Sequence, residues 1–335
     1  MTVALVTGAN GFIGAHVVRA LLSEGVAVRA MVRAGSDGRN LDGLAVERVE
    51  GDLRDEASLR RAVAGATVVF HVAAIYDLGM RRRAEVLQAN VEGTRWLMEA
   101  ALAAGVERVV HTSSVAAVGH VRPDGSLADE SDWTAAGAYA GPYEESKVRS
   151  ERLVRAMVER EGLPAVVVNP TAPIGPLDVK PTPTGRLIVD GANGSMPGYI
   201  RSAGLNVVAV EDVARGHVLA WQRGKVGERY ILGHREGNLS LREVLSRAAA
   251  LTGRGAPRWA VPYGVALGYA YADEWVLSPL LRRTARAPVA GVRLSRRPMW
   301  FDCRKAVEEL GMPQTPVGEA LESAVAWFRG EGRVR

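Results

Sequence analysis

In the segment GPYEESKVRSE, residues 141–151, a tyrosine and a lysine, Tyr143 and Lys147, stand four residues apart. On a helix that spacing puts both side chains on one face. A phenol with a pKa of about 10 is a poor base at neutral pH. An ammonium one helical turn away, with a second positive charge in the site, would favour the phenolate and lower that pKa, so the pair could move a proton on and off a substrate oxygen. Tyrosine and lysine fall at this spacing in many ordinary helices too, and the surrounding chain has to decide between chemistry and coincidence.

The first half of the chain alternates short β-rich runs with helical ones. VALVTG (3–8), VAVRAMVR (26–33), VERVEGD (46–52), TVVFHVAA (67–74), RVVHTSS (108–114) and PAVVVNP (164–170) read as strands. Between them, GAHVVRALLSEG (14–25), EASLRRAVAG (56–65), AEVLQANVEGTRWLMEAALAAG (84–105) and the run carrying Tyr143 read as helices. Strand, helix, strand at this spacing requires crossovers and a parallel sheet. The expected fold class is α/β, a doubly wound parallel sheet of Rossmann type with a smaller mixed α/β substrate-binding lobe. After Pro170 the texture turns loop-rich. The expected division is a nucleotide-binding domain over 1–169, with a return of about 205–222, and a substrate lobe over most of 170–335. ERYILG (228–233) reads as a strand of that later part.

TGANGFIG joins the first strand to the first helix and sets Gly8, Gly11 and Gly14 three residues apart, with Phe12 and Ile13 between the last two. A turn without Cβ atoms lets the backbone approach a pyrophosphate, and the helix start supplies free N–H groups and the positive dipole end. The second strand ends at Arg33 with no carboxylate where a free 2′-hydroxyl would be bound. A 2′-phosphate needs a cation there, so NADP(H) is expected ahead of NAD(H). Asp52, at the end of the third strand, is placed to accept an adenine amino group, with Leu53 packing on the ring.

Other chemistries lack their residues. The six histidines are scattered without metal-ligand spacing, so no metal site is expected. There is no G-x-S-x-G elbow and no Walker loop. Cys303 is the one cysteine, so no intramolecular disulfide can form. The formal charge is +5 with only four lysines, which reads as scattered solvated arginine and not as a nucleic-acid surface. One region is denser, LLRRTARAPVAGVRLSRRPMW (280–300), and could attract an anionic substrate or lipid head group. The apolar run VPYGVALGYAYADEWVLSPLL (261–281), broken by Asp273 and Glu274, is too short to span a bilayer and suits a core helix, a substrate lid or a peripheral membrane contact.

TGANGFIG, GDLRD (51–55), HVAA (71–74), NVEGT (90–94), TSS (112–114), YEESK (143–147) and NPTAPIGP (169–176), in this order, resemble the extended short-chain dehydrogenase/reductases. Within them the chain is similar to the dihydroflavonol 4-reductase-like proteins. NPTAPIGPLDVKPTPTGRLIVDGANGSMPGYI (169–200) and GERYILG are closest to the hopanoid-associated sugar epimerase group. The resemblance implies that Tyr143 is the catalytic acid/base and Lys147 its partner, which also holds the nicotinamide ribose. It implies a serine that steadies the substrate oxygen, Ser114 in preference to Ser113. Val72, Ala73 and Ala74 would line the cofactor and Pro170 would open the loop at the nicotinamide amide. Asn90 is expected to be a structural hydrogen-bonder, and Ile75 and Tyr76 face the substrate or its wall.

The implied function is an NADP(H)-dependent oxidoreductase that interconverts a carbonyl and a secondary alcohol on a small, largely apolar molecule. Its rivals are a nucleotide-sugar epimerase or dehydratase with tightly bound NAD and, remotely, a non-catalytic cofactor sensor. A cytoplasmic monomer or homodimer is expected, with no transmembrane segment.

Overall fold

The computed structural model describes residues 2–196 and 198–335. Val3–Thr7 (β1), Ala27–Val32 (β2), Glu47–Glu50 (β3), Val68–His71 (β4), Arg108–Thr112 (β5) and Ala165–Pro170 (β6) are all parallel. Among the described residues the large sheet runs, from one edge, β3, β2, β1, β4, β5, β6 and then the strand Arg229–Leu232. The central strands are near-continuous β-branched runs buried on both faces, as a sheet covered by helices on both sides demands. Strand order reverses between β1 and β4, which opens a crevice beyond their C-terminal ends.

Phe12–Ser23 (α1) leaves β1 through the glycine turn, and Glu56–Val63 (α2) follows an Asp55 cap that accepts from the Ser58 N–H. A long helical stretch follows β4, made of Arg83–Leu87 (α3), a π-turn at Gln88–Glu92 and Gly93–Ala103 (α4). The helix carrying the Tyr-Lys pair is Pro142–Glu161 (α5). It begins after an extended Gly141 with proline in its first turn and ends on Gly162, whose φ of 71° is left-handed.

Beyond Pro170 the chain builds the second lobe. Ala172–Ile174 (β7), Gly204–Ala209 (β9) and Asn238–Ser240 (β11) form a small mixed sheet, and Gly198–Ile200 (β8) pairs with Trp259–Val261 (β12). Pro183–Ala192 (α6), Leu241–Ala250 (α8) and Val317–Gly330 (α12) close over that sheet on an apolar core that includes Ile188, Val244 and Phe328.

The return to the first sheet differs from the expected 205–222. Its strand half, β9, pairs with β7 and β11. Only the helical half, Val210–Arg223 (α7), packs on the large sheet beside α1. The seventh strand of that sheet is Arg229–Leu232 (β10), which lies in register along β6. Periodicity could not reveal this, because an apolar strand reads alike in either sheet.

Candidate active site

The glycine turn fits a dinucleotide. Gly8 has a φ of 65°, and a Cβ on it would come within 2.8 Å of the Ala73 Cα. A Cβ on Gly14 would fall 2.1 Å from the Gly8 carbonyl oxygen. Side chains at either position would fill the cradle, and the first turn of α1 carries no acidic residue to repel a pyrophosphate. Phe12 and Ile13 are half-buried at the start of that helix, and Phe12 packs edge-on against His16.

Thr7 fixes the opposite wall. Its hydroxyl accepts from the backbone N–H groups of Val72 and Ala73, both at 3.1 Å, and bonds His71 Nδ1 at 2.9 Å. Val72 and Ala73 are thereby held half-buried, with Ala74 exposed beyond them. Asn90, in the π-turn, bonds both backbone groups of Ile75, accepting from its N–H at 2.7 Å and donating to its carbonyl at 3.0 Å. It also donates to Ser146 Oγ at 2.9 Å, which ties the loop after β4 to α5.

At the far end of the turn, Arg33 is exposed just past β2. The loop behind it is pinned to the glycine turn, because the Asn10 amide donates to Ser36 Oγ at 3.0 Å and to the Asp37 carbonyl at 2.9 Å. Asp52 stands just past β3, partly buried beside Arg54. Arg54 donates to it from its backbone N–H, Nε and Nη2 at 2.8–3.0 Å and holds the carboxyl below its usual range. Leu53 is 7% exposed and packs in the core beneath α2 and α4.

Ser114, Tyr143 and Lys147 come together at the C-terminal end of β5. Ser114 and Tyr143 face the same cleft, and the Ser114 hydroxyl accepts from the Ala116 N–H at 3.1 Å. Ser113, the competing residue, is turned away into the protein, where its hydroxyl donates to Glu151 Oε2 at 2.5 Å. Lys147 is buried, and its Nζ donates to the Thr112 carbonyl at 2.8 Å and lies 5.9 Å from the centre of the Tyr143 ring.

Burial governs both titrations. It pushes the Tyr143 phenol up to about 12, with the Ser114 hydroxyl acting against that rise. It pulls the Lys147 ammonium down to about 8, with Glu151 acting to raise it. The expected lowering of the phenol pKa invokes the charge of an oxidised nicotinamide beside that of Lys147, and the protein alone supplies only the second. Desolvation outweighs a cation almost 6 Å from the ring.

A group that sequence reasoning passed over lies one turn beyond Lys147. Glu151 is fully buried. It accepts from Ser113 and from the Asn169 amide at 2.8 Å, and pairs with Arg229 Nε of β10 at 2.8 Å. The signal was present, since Tyr143, Lys147 and Glu151 recur every four residues, and a carboxylate on an inward helix face needs a partner.

In front of Tyr143 and Ser114 opens a cleft of about 1360 Å³ between the two lobes. Ile75 and Tyr76 line it on one side, with Leu187, Met196, Tyr199 and Ile200 from the second lobe opposite. Pro170 ends β6 just before Thr171, which also lines the cleft.

Comparison with known proteins gives this geometry relatives. The NAD dependent epimerase/dehydratase family model matches residues 4–233. A Synechocystis protein named "Putative dihydroflavonol 4-reductase" is 45% identical over 98% of this chain and 95% of its own length. The "Sterol demethylase protein B" of Methylococcus capsulatus is 40% identical, over 98% and 99%. The crystal structure of gox2253 superposes with a TM-score of 0.88 at 42% identity, covering both chains completely.

Proposed function

The chain belongs to the NAD dependent epimerase/dehydratase family and is an NAD(P)-dependent oxidoreductase of the extended short-chain type, and within that frame we propose a reductase of apolar ketones. On this reading it interconverts a carbonyl and a secondary alcohol, uses NADP(H), and takes a substrate whose bulk is hydrocarbon. The observation that carries it is the joining of the Ser114–Tyr143–Lys147 cluster to a cleft walled largely by apolar side chains. The names of the two relatives, a dihydroflavonol reductase and a sterol demethylase component, fit a ring-bearing apolar molecule.

When bound, the reduced nicotinamide supplies the hydrogen and electron pair that the carbonyl carbon gains. The glycine turn and the first turn of α1 would hold its pyrophosphate, Arg33 a 2′-phosphate, and Lys147 the ribose hydroxyls. Tyr143 donates its phenolic proton to the substrate oxygen as negative charge develops there. A phenol pushed up to about 12 is fully protonated at neutral pH, the state reduction requires of an acid. Ser114 donates a hydrogen bond to the same oxygen and holds it against the phenol. In oxidation the same groups act in reverse, and Tyr143 must first lose its proton.

The test is to denature the purified protein, identify any released nucleotide by mass spectrometry, and titrate fresh protein with NADPH and NADH. An empty protein that prefers NADPH supports an exchanging reductase. Stoichiometric NAD surviving purification would sink this reading and promote an epimerase, which oxidises and re-reduces one substrate and profits from a retained cofactor. Tyr143→Phe should abolish turnover and keep nucleotide binding, whereas a mere cofactor sensor turns nothing over in either form.

A further inference from the structure

Tyr263–Ala272 (α9) is apolar nearly all round, and its path continues through a π-turn at Asp273–Leu277 into Ser278–Leu280 (α10). Of the twelve large hydrophobic side chains exposed among the described residues, eight lie within 259–281. Val265, Tyr269, Val276 and Leu280 recur at helical spacing, with Val265 64%, Val276 60% and Leu280 75% exposed. The opposite side of the helix is anchored, since Ala270 is fully buried against Val289 and Val292 of Val289–Leu294 (α11). Solvent therefore meets a ridge of hydrocarbon and aromatic rings far larger than a monomer scatters by chance.

Exposed charge within this segment has one sign. The acids of this stretch, Asp273 and Glu274, both turn inward. Asp273 is fully buried, pairing with Arg283 at 2.5 Å and accepting from the Arg286 and Ala287 N–H groups. Glu274 accepts from the Met80 N–H at 2.6 Å and the Val289 N–H at 2.8 Å. From Trp275 to Phe301 the sequence holds six arginines and no carboxylate. Arg282 and Arg286 are exposed beside the ridge, and the exposed Arg81 lies over the Trp275 ring at 5.2 Å.

We propose that α9 and α10 form a docking surface for a bilayer carrying anionic lipid. Apolar and aromatic side chains enter the headgroup boundary while the flanking arginines meet phosphate. The ten-residue helix α9 cannot cross a membrane, and no helix among the described residues is long and apolar enough to do so, so the element lies in the interface plane. A second copy of the chain fits the surface less well. Self-association about a two-fold axis would bring arginine-rich patches together with no carboxylate in the segment to pair them.

Val265 and Tyr269 line the catalytic cleft as well as the ridge, so the cleft opens where the membrane would sit. An apolar alcohol or ketone could then pass from lipid to Tyr143 with little exposure to water. That last step rests on the reductase reading, whereas docking does not.

Vesicle flotation of the full chain separates the two, because it needs no turnover. With phosphatidylcholine vesicles containing phosphatidylglycerol, the protein should float at low salt and less at high salt. Val276→Glu/Leu280→Glu should remain in the bottom fraction. Arg282→Ala and Arg286→Ala should each weaken partitioning about fivefold. Unchanged NADPH binding by these variants would show that they are folded. Failure to float, or equal flotation on pure phosphatidylcholine, would overturn the proposal. So would a dimer in light scattering that Val276→Glu/Leu280→Glu turns into a monomer, since the ridge would then be a subunit interface.

Discussion

The rings of Tyr76 and Tyr143 lie 4.4 Å apart, centre to centre, inclined at 37°. One comes from the loop after β4 and the other from the first turn of α5, and Asn90 locks the two elements together through Ile75 and Ser146. The Tyr143 phenol, the proposed acid/base, is thus positioned partly by an aromatic neighbour that also faces the cleft. An aromatic pair contributes about 0.5–1.5 kcal/mol beyond the area it buries. Tyr76→Ala should lower kcat/KM by roughly tenfold, with Tyr76→Phe close to wild type. Steady-state kinetics on an apolar ketone would check this, and an unaffected alanine variant would leave Tyr76 as cleft wall alone.

The two neighbouring serines should separate cleanly. Ser114→Ala removes the hydroxyl beside the phenol, and turnover should fall by about two to three orders of magnitude, the usual cost of one oxyanion donor. Ser113→Ala removes a donor to the buried Glu151, which should cost about 1–3 kcal/mol of stability. Thermal unfolding and turnover measured on both variants decide the assignment. Large turnover loss in Ser113→Ala at unchanged stability would reverse it.

Arg33 should set the choice of cofactor. Its guanidinium stands exposed past β2, while Arg54 is engaged with Asp52 and Arg39 with Asp37 and Glu331. Arg33→Ala should weaken NADPH binding by about 10- to 100-fold, the loss of one charge-assisted contact of about 1.5–3 kcal/mol, and leave NADH nearly unchanged. Fluorescence titrations of both nucleotides would show it. Equal losses for the two would mean that Arg33 does not read the 2′ position.

Much of this is legible in the sequence alone. Strand and helix alternation, the glycine turn and the i, i+4 pair are local patterns, and each follows from a short stretch of chain. What escaped depends on contacts distant in sequence. β10 joins β6 rather than the second lobe. The π-turn that aims Asn90 adds one residue to a helix that otherwise reads as regular. The apolar run at 261–281 had three readings because composition cannot tell a buried face from an exposed one. In the folded chain most of its large side chains are exposed. The depth at which Tyr143 and Lys147 are buried is hidden for a related reason, since spacing shows only that a cation is near.

Glu151 offers the sharpest test of how the site is tuned. Burial brings the Lys147 ammonium from 10.5 down to about 8, and the Glu151 charge acts to keep it from falling further. If the ammonium is the working form, activity should decline as pH rises through about 8. Stability should respond in the opposite sense. Between about 8 and 10.5 the unfolded chain binds this proton and the folded chain does not, so Lys147's own contribution to stability rises with pH across that window. Glu151→Gln keeps the shape and removes the charge, and the alkaline limb of the pH–rate profile should move down by about one unit or more. The same change strands the buried Arg229 and should cost about 3–5 kcal/mol in stability. Arg229→Gln breaks the same ion pair but leaves the carboxylate beside Lys147. It should destabilise comparably without lowering the limb. If both variants shift the limb downward together, Glu151 supports the fold around Lys147 and does not set its proton affinity.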